Sequence, residues 1–157
     1  AFRLLAEPYH VSQALVGVLS VAYLSGTYSS AWAGSLADKL GRPRIFWLFI
    51  AMMLVGLAIT LFEPISLILI GMLVFTFGFF AAHSLASGWV GQRARQAKGQ
   101  ASSLYLFSYY LGSSVAGTLG GAFWYWGGWN GVALFIAVLL LAALAIGALH
   151  LRRLETA

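Results

Sequence analysis

Apolar residues fill five long stretches of this chain, near residues 11–32, 45–62, 65–90, 100–123 and 130–149, with short polar or glycine-containing connections between them. A bilayer's hydrocarbon core is about 30 Å thick, and a helix of about 20 residues crosses it. The core offers no water to the backbone, so each crossing segment is either a helix or a strand of a closed barrel. Barrel strands alternate apolar and polar positions, and the run from Leu48 to Val55 does not alternate. The pattern therefore predicts an all-α integral membrane protein with five transmembrane helices, a single membrane domain over residues 1–157.

The five spans differ in what they present. The second, Ile45 to Phe62, and the fifth, Asn130 to Leu149, are almost wholly aliphatic and aromatic, which suits helices that face lipid. The first carries Gln13, Ser20, Thr27 and Gly34 at a spacing of seven, with Tyr23 and Ser30 on the same face, a narrow polar stripe. The fourth holds Tyr105, Ser108, Tyr109, Tyr110, Ser113, Ser114 and Thr118, together with Gly112, Gly117, Gly120 and Gly121. Small residues three or four apart let helix backbones approach, so these glycines are candidate packing positions; a substrate path is the other reading of the same stripe.

The third span places Thr76, His83, Ser84 and Ser87 among Phe and Leu. An ionisable residue inside a span is a candidate functional site, while a hydrogen-bonded structural histidine is the plainer alternative. No Asp, Glu, Lys or Arg falls within any of the five spans, so these helices supply no carboxylate for proton coupling. Tyr23, Thr27, His83, Tyr105 and Tyr109 are the candidates for contact with a partly apolar substrate, simple packing being the alternative.

Composition narrows the class. Hydrophobic residues make up 61% of the chain, and 9 Lys+Arg with 4 Asp+Glu give 13 charged residues in 157. A soluble domain carries about 25% charged residues, so soluble globular and disordered classes are excluded. The net charge of +5 does not point to nucleic acid, because the basic residues sit in small clusters between apolar runs. Eight of the nine fall in the first and third connections and the tail, which the positive-inside rule makes cytoplasmic, leaving the N-terminus outside and the C-terminus inside. Trp32, Trp47 and Trp89 then lie near inner ends, and Trp124, Trp126 and Trp129 near the last outer connection, where indoles favour the headgroup layer. There are no cysteines, so thiolate metal sites and disulfides are excluded; no cofactor or metal is expected. The opening Ala1-Phe2-Arg3 shows no signal peptide and reads as the inside of a longer protein.

The first inner connection, read as a loop, has the order Gly34-x-x-x-Asp38-Lys39-x-Gly41-Arg42-Pro43-Arg44. Gly34 would allow close packing at a helix end, Gly41 a tight reversal, and Pro43 the start of the next helix. This stretch resembles the loop motif G-x-x-x-D-R/K-x-G-R-R/K of the major facilitator superfamily, with Pro43 intruding in the basic run. The resemblance implies that Asp38, Lys39, Arg42 and Arg44 latch a cytoplasmic gate that breaks and re-forms as a transporter alternates.

The stretch from Gly112 to Gly121 resembles the same family's motif G-x-x-x-G-P-x-x-G-G, with Ala116 in place of a glycine and Gly117 in place of the proline. The five spans could be helices two to six or eight to twelve of that fold. Nothing basic lies between Glu63 and Arg93, and the tail is short, which favours eight to twelve. The stretch from Pro8 to Arg153 thus looks like the end of a bacterial drug- or sugar-efflux-type member. The implied partners are a small-molecule substrate, the lipid bilayer and the missing N-terminal helices of the same transporter, with no nucleic acid, and the implied place is the inner membrane. Two other readings stay open: an intramembrane serine hydrolase pairing His83 with Ser113 or Ser114, and a helix-bundle assembly module that transports nothing.

Overall fold

The computed structural model describes residues 2–5, 7–13, 17, 22–94 and 96–155, without side chains at 2, 22 and 149–155. Residues 14–16 and 18–21, with Ser20 of the first polar stripe, and Arg95 of the third connection lie outside the described residues. Among the described residues the protein is all helical: α1 (Phe2–Leu5), α2 (Ala22–Leu40), α3 (Arg42–Ile59), α4 (Ile65–Arg93) and α5 (Lys98–Glu155).

Helix α2 continues past residue 32, the expected end of the first span, to Leu40, and α3 begins at Arg42. The motif expected to be a loop is therefore two helix ends joined at Gly41, whose φ of +91° is open to glycine at little cost. Pro43 stands in the first turn of α3, where its missing N–H has no intrahelical partner to lose. Helix α4 also outruns its expected end, reaching Arg93.

The 58 residues of α5 would measure about 87 Å as one straight helix, far more than a bilayer core. The helix breaks at Gly127 (φ −142°, ψ 19°) and Gly128 (φ +56°, ψ −143°). The rings of Phe123 and Phe135 stack with centroids 4.7 Å apart, where twelve residues of straight helix would separate them by about 18 Å. The chain thus doubles back into two arms, 98–126 and 129–155. The outer connection expected at 124–129 shrinks to the two glycines.

Among the described residues three helices are long and apolar enough to cross a membrane, Arg42–Ile59, Ile65–Arg93 and Lys98–Ala148, and the last is folded into two arms at Gly127 and Gly128. Lipid tails are as apolar as leucine, so van der Waals contact at close range, more than escape from water, holds such helices together. Helices α3 and α4 approach backbone to backbone. A methyl group on Gly56 would stand 2.6 Å from the Phe75 nitrogen, one on Gly71 would stand 2.7 Å from the Gly56 oxygen, and one on Gly78 would stand 2.9 Å from the Phe49 oxygen.

Around that seam Ile45, Phe49, Ile50 and Met53 of α3, Ala81, Ala82 and Leu85 of α4, Ala33 and Ala37 of α2, and Leu140 of the second arm form the buried core. Helix α3, expected to face lipid, buries one face here and exposes Leu48 and Val55 on another. An apolar helix surface suits protein and hydrocarbon equally, so composition could not separate the two faces.

The second arm of α5 runs antiparallel to α3 and is fastened to it at both ends by tryptophan. The Trp129 indole N–H donates to the Thr60 carbonyl at 3.1 Å and lies 3.2 Å from its hydroxyl. At the other end the edge of the Trp47 indole occupies the space that a Cβ on Gly147 would take. Arg3 also donates to the carbonyls of Thr60 and Phe62, and the Tyr9 hydroxyl donates to the carbonyl of Glu63, so the N-terminal segment straps across the same end of α3.

Candidate functional site

The first candidate site is built where the C-terminal ends of α2 and α4 meet the N-terminal end of α3. Asp38 sits in the last turn of α2 and Arg42 in the first turn of α3, and Gly41 turns the chain so that Arg42 Nη2 comes 3.3 Å from Asp38 Oδ1. Arg42 Nη1 donates to the Gln92 side-chain carbonyl on α4, so one guanidinium ties three helix ends together. Asp38 remains 70% exposed, so the pair breaks without leaving a buried charge. Lys39 and Arg44 are exposed on either side.

Gly34 does not make the close approach expected of it: a Cβ there would meet no atom within 4 Å, because its face of α2 is open in this part of the bundle. Gln92, absent from the sequence reading, lacks a local signal because it touches Arg42 from fifty residues away.

The second candidate site lies at mid-depth. Phe79 and Phe80 stand at the middle of α4, about 20 Å from either end. Tyr23 of α2 meets Phe80 edge-on with centroids 5.5 Å apart, and Phe80 meets Phe79 at 5.4 Å. Phe79 stacks on His83 at 5.9 Å, and Tyr109 of α5 lies over the same imidazole at 4.6 Å. The Tyr105 hydroxyl is 3.0 Å from His83 Nδ1 and 3.3 Å from the His83 carbonyl.

Six rings from three helices thus form one unbroken arc. It brings together Tyr23, His83, Tyr105 and Tyr109, while Thr27 stands exposed one turn along α2 from Tyr23. The arc depends on Phe79 and Phe80, which were not singled out among the apolar residues of the third span. Adjacent phenylalanines four and three residues before the only intramembrane histidine are the signal that could have pointed to them.

The glycine stripe of the first arm behaves differently from the seam between α3 and α4. A Cβ on Gly112, Gly117, Gly120 or Gly121 would meet nothing within 4 Å. Gly117, Gly120 and Gly121 instead line a cleft of about 880 Å³ between the two arms and α4, walled by Phe75, Phe79 and Phe135. The close contacts among the described glycines fall on Gly26, Gly56, Gly71, Gly78, Gly131 and Gly147, which were not singled out; the heptad spacing from Gly71 to Gly78 was the signal for that pair.

A bundle of apolar helices long enough to cross a bilayer defines an integral membrane protein, and the comparison with known families agrees. The chain matches the Major Facilitator Superfamily along residues 1–157 and belongs to it. It is 59% identical to the inner membrane transport protein YnfM of Escherichia coli over 98% of its own length. It is also 44% identical to an uncharacterized transporter of Buchnera aphidicola over 93% of its length, and 43% identical to the uncharacterized MFS-type transporter YybF of Bacillus subtilis over 91%. The chain covers 37% of the first of these and 35% of each of the others, so it spans little more than a third of its curated relatives. No solved structure matches it. Family membership sets aside the intramembrane serine hydrolase, and the His83 nitrogen that such an enzyme would turn to Ser113 or Ser114 meets Tyr105 instead.

Proposed function

We propose that this chain is helices eight to twelve of a secondary active transporter of the inner membrane, which moves a small molecule by alternating access in the efflux direction. The observation that carries the reading is the aromatic arc. It places Tyr23, His83 and Tyr109 from three helices at mid-depth, where a facilitator's two halves hold their substrate between them. The rings offer π faces and hydroxyls without a fixed charge, which suits a partly apolar solute.

The latch of Asp38, Arg42 and Gln92 supports the same reading. It is exposed and single-layered, so it can open and re-form at small cost while the core between α3 and α4 moves as a rigid piece. On this reading the N-terminus faces outward, the C-terminus faces the cytoplasm, and Gly112, Gly117, Gly120 and Gly121 receive helices from the remaining two thirds of the transporter. That remainder is what an assembly module without transport would lack.

The test is flux of candidate solutes through the full-length transporter in proteoliposomes, wild type against Tyr109→Ala and His83→Ala. Flux reduced at least about tenfold in both, with normal melting, supports the site. Unchanged flux in both removes these residues from it.

A further inference from the structure

The turn that joins α4 to α5 carries Arg93, Arg95 and Lys98 within six residues, and the sequence holds no aspartate or glutamate from residue 64 to residue 154. The other basic residues at this end of the bundle have a carboxylate beside them: Arg42 pairs with Asp38, and Lys39 and Arg44 flank it in the chain. Among the described residues the ion pairs are Arg42 with Asp38 and His10 with Glu7, so neither Arg93 nor Lys98 takes an anion from this chain. Both are exposed. A lone cation at the end of a membrane helix stands where the bilayer places its phosphates.

Arg93 is also held in position. Its guanidinium carbon lies 5.9 Å from the ring centroid of Trp89, one turn earlier on α4, and that indole is half-buried. A guanidinium laid over a ring is held by its face, while its N–H groups point outward from its edge. Those donors form a fork that fits two oxygens of one phosphate. Indole favours the headgroup layer, so the pair sits at the depth of lipid phosphate.

Lys98 stands on the other side of the turn. A Cβ on Gly91 would stand 3.6 Å from the Ser102 hydroxyl oxygen, so the end of α4 and the start of α5 lie side by side. Arg93 is two residues past Gly91 and Lys98 four before Ser102, about 3 Å and about 6 Å along their helices. Ala97 holds φ at +55° immediately before Lys98, a left-handed conformation that is unfavourable for an L-residue and fixes how the chain enters α5. The two cations therefore bracket one joint.

We propose that Arg93 and Lys98, with Trp89 beside them, form a binding site for the phosphodiester of an anionic phospholipid in the leaflet that borders the turn between α4 and α5. The guanidinium fork takes the phosphate oxygens and Lys98 adds a second positive charge. Attraction of anionic lipid to a basic rim is diffuse and depends on charge alone, whereas a stacked guanidinium selects by geometry, which lysine does not reproduce. Neither solute nor flux enters the proposal, so it stands apart from the transport reading.

The test is lipid binding to the full-length transporter in detergent micelles, resolved by native mass spectrometry, with phosphatidylglycerol and phosphatidylethanolamine of identical chains. One phosphatidylglycerol is expected to bind at least about fivefold more tightly than phosphatidylethanolamine. Arg93→Lys keeps the charge and loses the fork, and Lys98→Gln removes a charge; each is expected to weaken phosphatidylglycerol binding about fivefold.

Equal binding of the two lipids overturns the proposal. So does an Arg93→Lys affinity equal to wild type, which is the mark of diffuse attraction. Lys98→Gln decides in its place if Arg93→Lys does not fold. Soluble glycerol phosphate at equal concentration is expected to leave the lipid bound; displacement would make the ligand a free phosphate ester and overturn the lipid assignment.

Discussion

Gly56 of α3 and Gly71 of α4 face each other so closely that neither can carry a methyl group: a Cβ on Gly71 would stand 2.7 Å from the Gly56 oxygen, and one on Gly56 2.9 Å from the Gly71 oxygen. Both obstacles are backbone atoms, which cannot turn aside as a side chain does. Gly56→Ala or Gly71→Ala must push the helices apart, and each is expected to destabilise the protein by about 1–3 kcal/mol. Thermal unfolding of the purified transporter reads this directly. An unchanged melting temperature in both would contradict the seam.

The two glycines of the inner motif are expected to respond oppositely to alanine. Gly34 has open space where a Cβ would stand, so Gly34→Ala should change stability by less than about 0.5 kcal/mol. Gly41 holds φ at +91°, so Gly41→Ala forces a side chain into a left-handed backbone and should cost about 1–2 kcal/mol. Melting curves of the two variants side by side check the contrast.

Removing the latch should slow transport without unfolding the protein. The pair of Asp38 and Arg42 is solvent-exposed, so Asp38→Asn or Arg42→Gln is expected to cost under about 1 kcal/mol of stability. If the latch gates alternation, each variant lowers turnover by about tenfold or more, a barrier change of about 1.4 kcal/mol. Gln92→Ala should follow them in the same direction, since it holds the far side of the same guanidinium. Flux and melting measured on the same preparations separate gating from folding.

Gly117 and Gly121 line the cleft between the arms of α5, and a Cβ on either would meet no atom within 4 Å. If helices from the rest of the transporter dock there, Gly117→Leu and Gly121→Leu lower the yield of folded full-length protein, by about 1–3 kcal/mol of stability each. Size-exclusion profiles of the solubilised variants give the answer, and monodisperse, wild-type-like peaks would argue against docking at this face.

Reporter tags placed before Phe2 and after Glu155 are expected on opposite sides of the membrane, with the C-terminal tag cytoplasmic. Protease accessibility in oriented vesicles checks this. Tags on one side would remove the five-span threading.

Much of the architecture was legible because the membrane imposes a simple length rule. Long apolar runs marked α3, α4 and α5, and the basic residues Arg42, Arg93 and Lys98 stand at or beside their ends. The polar members of the mid-depth site were also visible, since a histidine and tyrosines stand out in an apolar helix. What escaped was whatever depends on which apolar face meets which. Phe80 and Leu48 look alike in the sequence, yet one touches Tyr23 and the other is exposed. Glycine was the hardest residue to read. The stripe at Gly117, Gly120 and Gly121 resembles a seam but lines a cleft, while Gly56 and Gly71, with a plainer pattern, bring two helix backbones together. The helix ends were misjudged at Leu40 and at Gly127 because a tight glycine reversal needs no polar residues to announce it.

The hairpin of α5 reverses over Gly127 and Gly128 alone, and such a short hinge leaves no slack. The first arm is therefore tethered, through these two residues, to an arm that Trp129 and Trp47 hold against α3 at both ends.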